Sequence, residues 1–89
     1  MAKKITMKYL AQIDIMPQKA LLDPQGKAVL NSSQKIGFDF VENVRVGKHI
    51  EVELEASSKE DAQTKTDELC RKILINPIIE YYEFHVIEI

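Results

Sequence analysis

The sequence predicts one α+β domain with the order β-α-β-β-α-β. This is the split-βαβ, ferredoxin-like plan: a four-stranded antiparallel sheet with two helices on one face. Three observations carry the prediction. Period-two alternation marks half-buried strands at Met7–Ile15 and Ile50–Ala56. Cap signals open two helices, at Asp23 and at Ser58. The length, 89 residues, suffices for one core and no second, so residues 1–89 read as a single domain.

Composition narrows the class. Hydrophobic residues at 45% and charged ones at 29% are globular proportions and exclude a disordered chain. The net charge of −2, with both signs interspersed, leaves no basic face for nucleic acid. Cys70 is the single cysteine, which excludes an internal disulfide and a paired-thiolate metal site and suits a reducing cytoplasm. The N-terminus MAKKITMKYL lacks the apolar run of a signal peptide, and no stretch reaches membrane-spanning length. A soluble cytoplasmic protein is therefore expected, without a membrane partner, and residues 1–6 read as a flexible extension.

Along the first strand Met7, Tyr9, Ala11, Ile13 and Ile15 share one face, against Lys8, Gln12 and Asp14 on the other. Met16–Leu22 reads as a connection broken by Pro17. The first helix should start at Asp23, whose carboxylate can accept from a free backbone N–H, with Pro24 at N1 and Gly37 as the stop. Its apolar face is thin: Ala28, Val29 and Ile36, with Ser32 and Ser33 between.

Val41–Val46 and His49–Ala56 read as a hairpin. A three-residue connection pairs Val46 with Ile50, Arg45 with Glu51 and Val44 with Val52, matching apolar with apolar and basic with acidic. The second helix has an N-cap at Ser58 with Asp61 three residues on, or at Ser57 with Glu60. Ala62, Thr66, Leu69, Cys70 and Ile73 then form one stripe, with Arg71 and Lys72 in the last turns and Asn76-Pro77 as the stop. The last strand, Ile78–Ile89, is apolar on both faces. Two helices can cover only one face of the sheet, so the other is a candidate for burial against another chain, dimerising through the sheet.

Candidate chemistry is sparse. Cys70 lies on the apolar stripe with no histidine near in sequence, so it reads as a packed hydrophobe rather than a nucleophile. His49 sits in the expected turn, His85 on the last strand. Glu51, Glu53 and Glu55 alternate on one strand face, the pattern of a solvated face paired with basic neighbours such as Arg45. No P-loop, no HExxH and no Ser-His-Asp set is present, and nothing in the sequence forms a catalytic site or holds a cofactor or metal.

Three stretches carry a resemblance: DPQGKAV at Asp23–Val29, VRVGKHIEVELEA at Val44–Ala56, and LCRKILINPIIEYYE at Leu69–Glu83. Together they resemble the PurS family, the small subunit of phosphoribosylformylglycinamidine (FGAM) synthase in bacteria and archaea. The resemblance implies a non-catalytic subunit of de novo purine biosynthesis. It would bridge the glutaminase PurQ and the synthetase PurL, so that ammonia from glutamine reaches the Mg-ATP-dependent amidation of FGAR to FGAM. It also implies a homodimer, or a tetramer when isolated.

The contact residues it implies are Asp23, Pro24, Gln25, Gly26 and Lys27 at the helix start, Arg45, Gly47 and Lys48 in the hairpin, and Asn76 and Pro77 before the last strand. Each also fits a cap, a turn or a stop. Gly26 falls in a first helical turn, where glycine is unfavourable, and this implies another backbone passing close, expected to be a partner subunit's. Ser32 and Ser33 depart from the family pattern of an alanine and a large aliphatic residue. The competing reading from the plan alone is a stand-alone βαββαβ sensor of a small molecule such as an amino acid.

Overall fold

A computed structural model describes residues 6–89. The expected extension at residues 1–6 lies, Thr6 apart, outside the described residues. Strand β1 (Met7–Pro17) is the centre of a three-stranded antiparallel sheet, flanked by β2 (Lys48–Ala56) and β3 (Glu80–Glu88) in the order β2-β1-β3. Its alternation is realised from Tyr9 to Ile15, while Met7, expected on the same face, is 37% exposed at the strand's start. Tyr9, Ala11, Ile13 and Ile15 are buried on one face, beside Leu54, Val52, Ile50 and Lys48 of β2 and Glu88, Val86, Phe84 and Tyr82 of β3.

Helix α2 (Lys59–Leu69) covers this face and continues into a π-helical turn at Cys70–Leu74. Ser58 is its N-cap and accepts the Asp61 N–H at 3.1 Å, while the Asp61 carboxylate reaches back to the Ser57 N–H at 3.0 Å. Ala62, Thr66 and Cys70 are buried on the sheet, and the Thr66 hydroxyl donates to the Ala62 carbonyl, so no polar atom is stranded there. The expected stripe ends differently. Ile73 is 71% exposed, and Leu74 packs against the core instead, because the wider π turn displaces the inward position by one residue.

Helix α1 (Pro24–Lys35) starts and stops where expected, capped by Asp23 and followed by Gly37 at φ 91°. Two expectations fail around it. First, α1 does not lie on the sheet: Val29 is 48% exposed and Ile36 70%, so only one helix backs the sheet. Second, Val41–Val46 is not a strand, and the hairpin with β2 is absent. Its turn residues are already engaged, since Lys48 and His49 pair with Ile15 and Asp14 of β1. Gly47 lies so close to the Ile15 carbonyl that no side chain fits. The sheet therefore has three strands among the described residues, and β2 pairs through Ile50, Glu51 and Val52 with β1 rather than with 44–46.

The outcome is an elongated chain. Its extents are 66 × 26 × 14 Å and its radius of gyration is 17.9 Å, against about 12 Å for a compact chain of this length. We call the segment from α1 to Val46 the arm, and the sheet with α2 the body.

Candidate functional site

The joint between arm and body gathers most of the residues that the sequence marks as contacts. Pro24 holds N1 of α1, and Asp23 before it is extended, which aims its carboxylate back along the helix axis. One carboxylate oxygen accepts the Gly26 N–H at 3.0 Å; the other accepts the Val46 N–H at 2.8 Å. These two backbone donors, helped by the Arg45 charge, hold the Asp23 carboxyl below the usual carboxylate range. Gly26 is the one buried residue of α1, and the backbone that crosses it is the chain's own: a Cβ there would collide with the Val44 carbonyl. The expectation that a partner's backbone comes close at Gly26 is corrected on this point.

Arg45 locks the next step. Its guanidinium donates to the Pro17 carbonyl and, at 3.3 Å, to the Tyr81 hydroxyl, and it lies over the Tyr81 ring 6.0 Å from the centroid. It is not paired with Glu51, Glu53 or Glu55. Lys48 pairs with Glu80 at 3.2 Å, and Glu80 also accepts the Asn76 N–H at 2.9 Å. That N–H, then Lys48, lowers the Glu80 pKa from its ordinary value. Asn76 closes its own turn by accepting the Ile78 N–H at 3.1 Å. Asp23, Gly26, Arg45, Gly47, Lys48 and Asn76 thus meet at one end of the sheet. Gln25, Lys27 and Pro77 are exposed beside this network without entering it.

Residues the sequence did not single out complete the joint. Glu80 joins Lys48 to Asn76, Tyr81 receives Arg45, and Gln18 ties its backbone N–H to the Ile79 carbonyl at 2.8 Å. Nothing in the local pattern marks them, because each takes a partner distant in sequence: Lys48 for Glu80, Arg45 for Tyr81 and Ile79 for Gln18. Two clefts flank the start of α1. One of about 500 Å³ runs along Lys19, Leu22, Lys27 and Arg45, and one of about 380 Å³ lies by Pro17, Gln25, Lys48 and Glu80.

The remaining titratable groups sit elsewhere. His49 donates from Nδ1 to the Asp14 carboxylate at 2.7 Å and faces Glu51 at 3.5 Å on the open side of the sheet, and these acids raise its pKa. The Tyr82 hydroxyl donates to Asp67, which lowers the Asp67 pKa and raises that of Tyr82. Cys70 is fully buried, and burial pushes its thiol pKa up, the opposite of what activates a nucleophile. Among the described residues no three His, Cys, Asp or Glu side chains are placed to hold a metal ion. No helix of the described residues is long and apolar enough to cross a membrane. The joint's polar groups are spent on one another, so its geometry holds two segments in a fixed relation rather than presenting a reacting group.

Comparison with known proteins agrees with this picture. A family model described as PurS, phosphoribosylformylglycinamidine (FGAM) synthase, matches residues 10–88. The phosphoribosylformylglycinamidine synthase subunit PurS of Synechocystis is 38% identical over 78 residues, 88% of this chain and 78% of its own. That of Bacillus subtilis is 33% identical over 81 residues, 91% of this chain and 95% of its own. Among solved structures, PurS of Methanocaldococcus jannaschii superposes with a TM-score of 0.81 at 31% identity, covering 91% of this chain and 98% of that one. A chain from the structure of PurLQS of Thermotoga maritima does so with a TM-score of 0.80 at 30% identity, covering 92% and 98%.

Proposed function

The chain belongs to the PurS family, and from that membership we propose that it is the non-catalytic small subunit of FGAM synthase in de novo purine biosynthesis. It acts with a PurL synthetase and a PurQ glutaminase, bridging them so that ammonia released from glutamine reaches the ATP-dependent amidation of FGAR to FGAM. The observation that carries this reading is the likeness, along nearly its whole length, to a chain in the structure of PurLQS from Thermotoga maritima. An arm standing off a small body suits a subunit whose work is to hold others in register. In this reading the subunit binds no cofactor itself, the complex consumes Mg-ATP and glutamine, and the assembly works in the cytoplasm as one domain per chain. The contact residues are Asp23 to Lys27, Arg45, Gly47, Lys48, Asn76 and Pro77, and the chain associates with itself.

Reconstitution tests it. PurL and PurQ from the same source are mixed with FGAR, Mg-ATP and glutamine, with and without this chain. Glutamine-dependent FGAM formation should require the chain, whereas formation from added ammonium should not. Full glutamine-dependent activity in its absence would end the bridging role. Micromolar binding of an amino acid to the isolated protein would favour a sensor.

A further inference from the structure

We propose that the cleft of about 500 Å³ at the start of α1 is a socket for an acidic segment of a partner enzyme subunit, one that sets an apolar side chain beside its carboxylates. This deepens the contact role given to Lys27 and its neighbours above and rests on that reading.

Three segments wall the cleft. The connection after β1 brings Lys19 and Leu22, the first turns of α1 bring Lys27 and Leu30, and the returning arm brings Asn43 and Val44. Its charge is decided by which groups are already engaged. The Asp23 carboxylate, which also lines it, is filled by the Gly26 and Val46 N–H groups. The Arg45 guanidinium is held by the Pro17 carbonyl and the Tyr81 hydroxyl. Lys19 and Lys27 are left. Both are exposed, and neither is in an ion pair among the described residues. In a chain of net charge −2, the cleft is therefore a local site of two unanswered positive charges.

Between those charges the lining is carbon. Leu22 is 74% exposed, and Leu30 and Val44 are half-buried. An apolar centre with charges at its rim is the anatomy of a protein interface. Charge and shape then choose the occupant. A polyanion such as nucleic acid needs an extended basic surface, which the interspersed charges of this chain do not give. A small free anion is held by burial on most sides, and here the mouth, at Lys19, Leu22 and Lys27, is open. A protein segment covers floor and mouth together: its carboxylates answer Lys19 and Lys27, and its apolar side chain covers Leu22. The rim pairs then steer and select the partner, while the apolar centre supplies affinity.

The test measures binding to PurL and PurQ from the same source by sedimentation, beside glutamine-dependent FGAM formation. The unmodified chain should bind one of the two subunits, with an affinity that falls as salt rises. Lys19→Glu with Lys27→Glu should weaken that binding about tenfold or more and flatten its salt dependence. Lys19→Arg with Lys27→Arg should keep both. The two side chains are exposed, so the reversed pair should fold, as circular dichroism checks. Leu22→Ala is the second variant: it removes only apolar surface and should weaken binding with the salt dependence unchanged. A reversed chain that binds as tightly as the unmodified one would overturn the proposal. An arginine variant as weak as the reversed one, or a Leu22→Ala chain of full affinity, would do the same. A reversed chain whose own mass by light scattering falls below that of the unmodified chain would make the occupant a second copy. Micromolar binding of free succinate to the isolated chain would make it a small anion, and either result overturns the partner segment. An unmodified chain that binds neither subunit ends the bridging reading itself, and that is seen before any variant is made.

Discussion

Asp23 and Val46 are joined by a 2.8 Å hydrogen bond from the Val46 backbone N–H to the Asp23 carboxylate, across 23 residues of sequence. The same carboxylate caps α1 through Gly26. One side chain therefore starts the helix and moors the segment that leads into β2. Without it the arm would be tied to the body chiefly by Arg45.

Gly26→Ala should destabilise the protein, although alanine in a helix is ordinarily favoured over glycine by about 1 kcal/mol. The added Cβ meets the Val44 carbonyl, a backbone atom that cannot step aside without moving the arm. A net loss of roughly 1–2 kcal/mol in chemical denaturation is expected, overpacking outweighing propensity. A gain in stability would show that the crossing at Gly26 is loose.

The joint should weaken in acid. The pKa values of Asp23 and Glu80 are depressed in the folded chain, so their contributions are complete above the unfolded values near 4 and are lost as pH falls through the lower folded values. Melting temperature should drop on acidification below about pH 4. Asp23→Ala should flatten that drop, and Asp23→Asn, which keeps an acceptor, should be milder at neutral pH.

His49 behaves with the opposite sign. Asp14 and Glu51 raise its pKa above the ordinary value, so its contribution is complete below about pH 6.5 and is lost as pH rises through the raised pKa. Titration by NMR should place the His49 ring above the ordinary histidine value, and Asp14→Asn should bring it down. A titration at the ordinary histidine value would dismiss the Asp14 contact.

The π turn makes Ile73 and Leu74 exchange the roles a regular helix would assign. Ile73→Ala should cost under about 0.5 kcal/mol of stability in the free chain, and Leu74→Ala about 1–2 kcal/mol, read by denaturation. Equal losses would mean that the helix continues with regular geometry past Cys70.

Cys70 should resist thiol reagents in the native protein and react at once after unfolding, because it is fully buried and its thiol pKa is raised. Cys70→Ala should leave glutamine-dependent FGAM formation in the reconstituted complex unchanged.

Much was legible in the residues themselves. The alternation from Met7 to Ile15 identified the central strand and its buried face, and Asp23-Pro24 and Ser58–Asp61 placed both helix starts, because caps and side-chain periodicity are set by near neighbours. Within the matched segments, Asp23, Gly26, Arg45, Gly47, Lys48 and Asn76 came together at one joint, although its hubs, Glu80 and Tyr81, carried no local mark. Whether Val41–Val46 would turn back on β2 was another matter. Its pattern is that of a strand, but pairing is a competition, and β1 holds Lys48 and His49, the residues that would have made the turn. Likewise Gly26 announced that something passes close to it, and only the folded chain decided that this is Val44. The sequence by itself determined the elements and their inward faces, since those depend on spacing along one segment. The tertiary structure decided which segments meet, because that depends on which of several compatible partners reaches the same edge first in free energy.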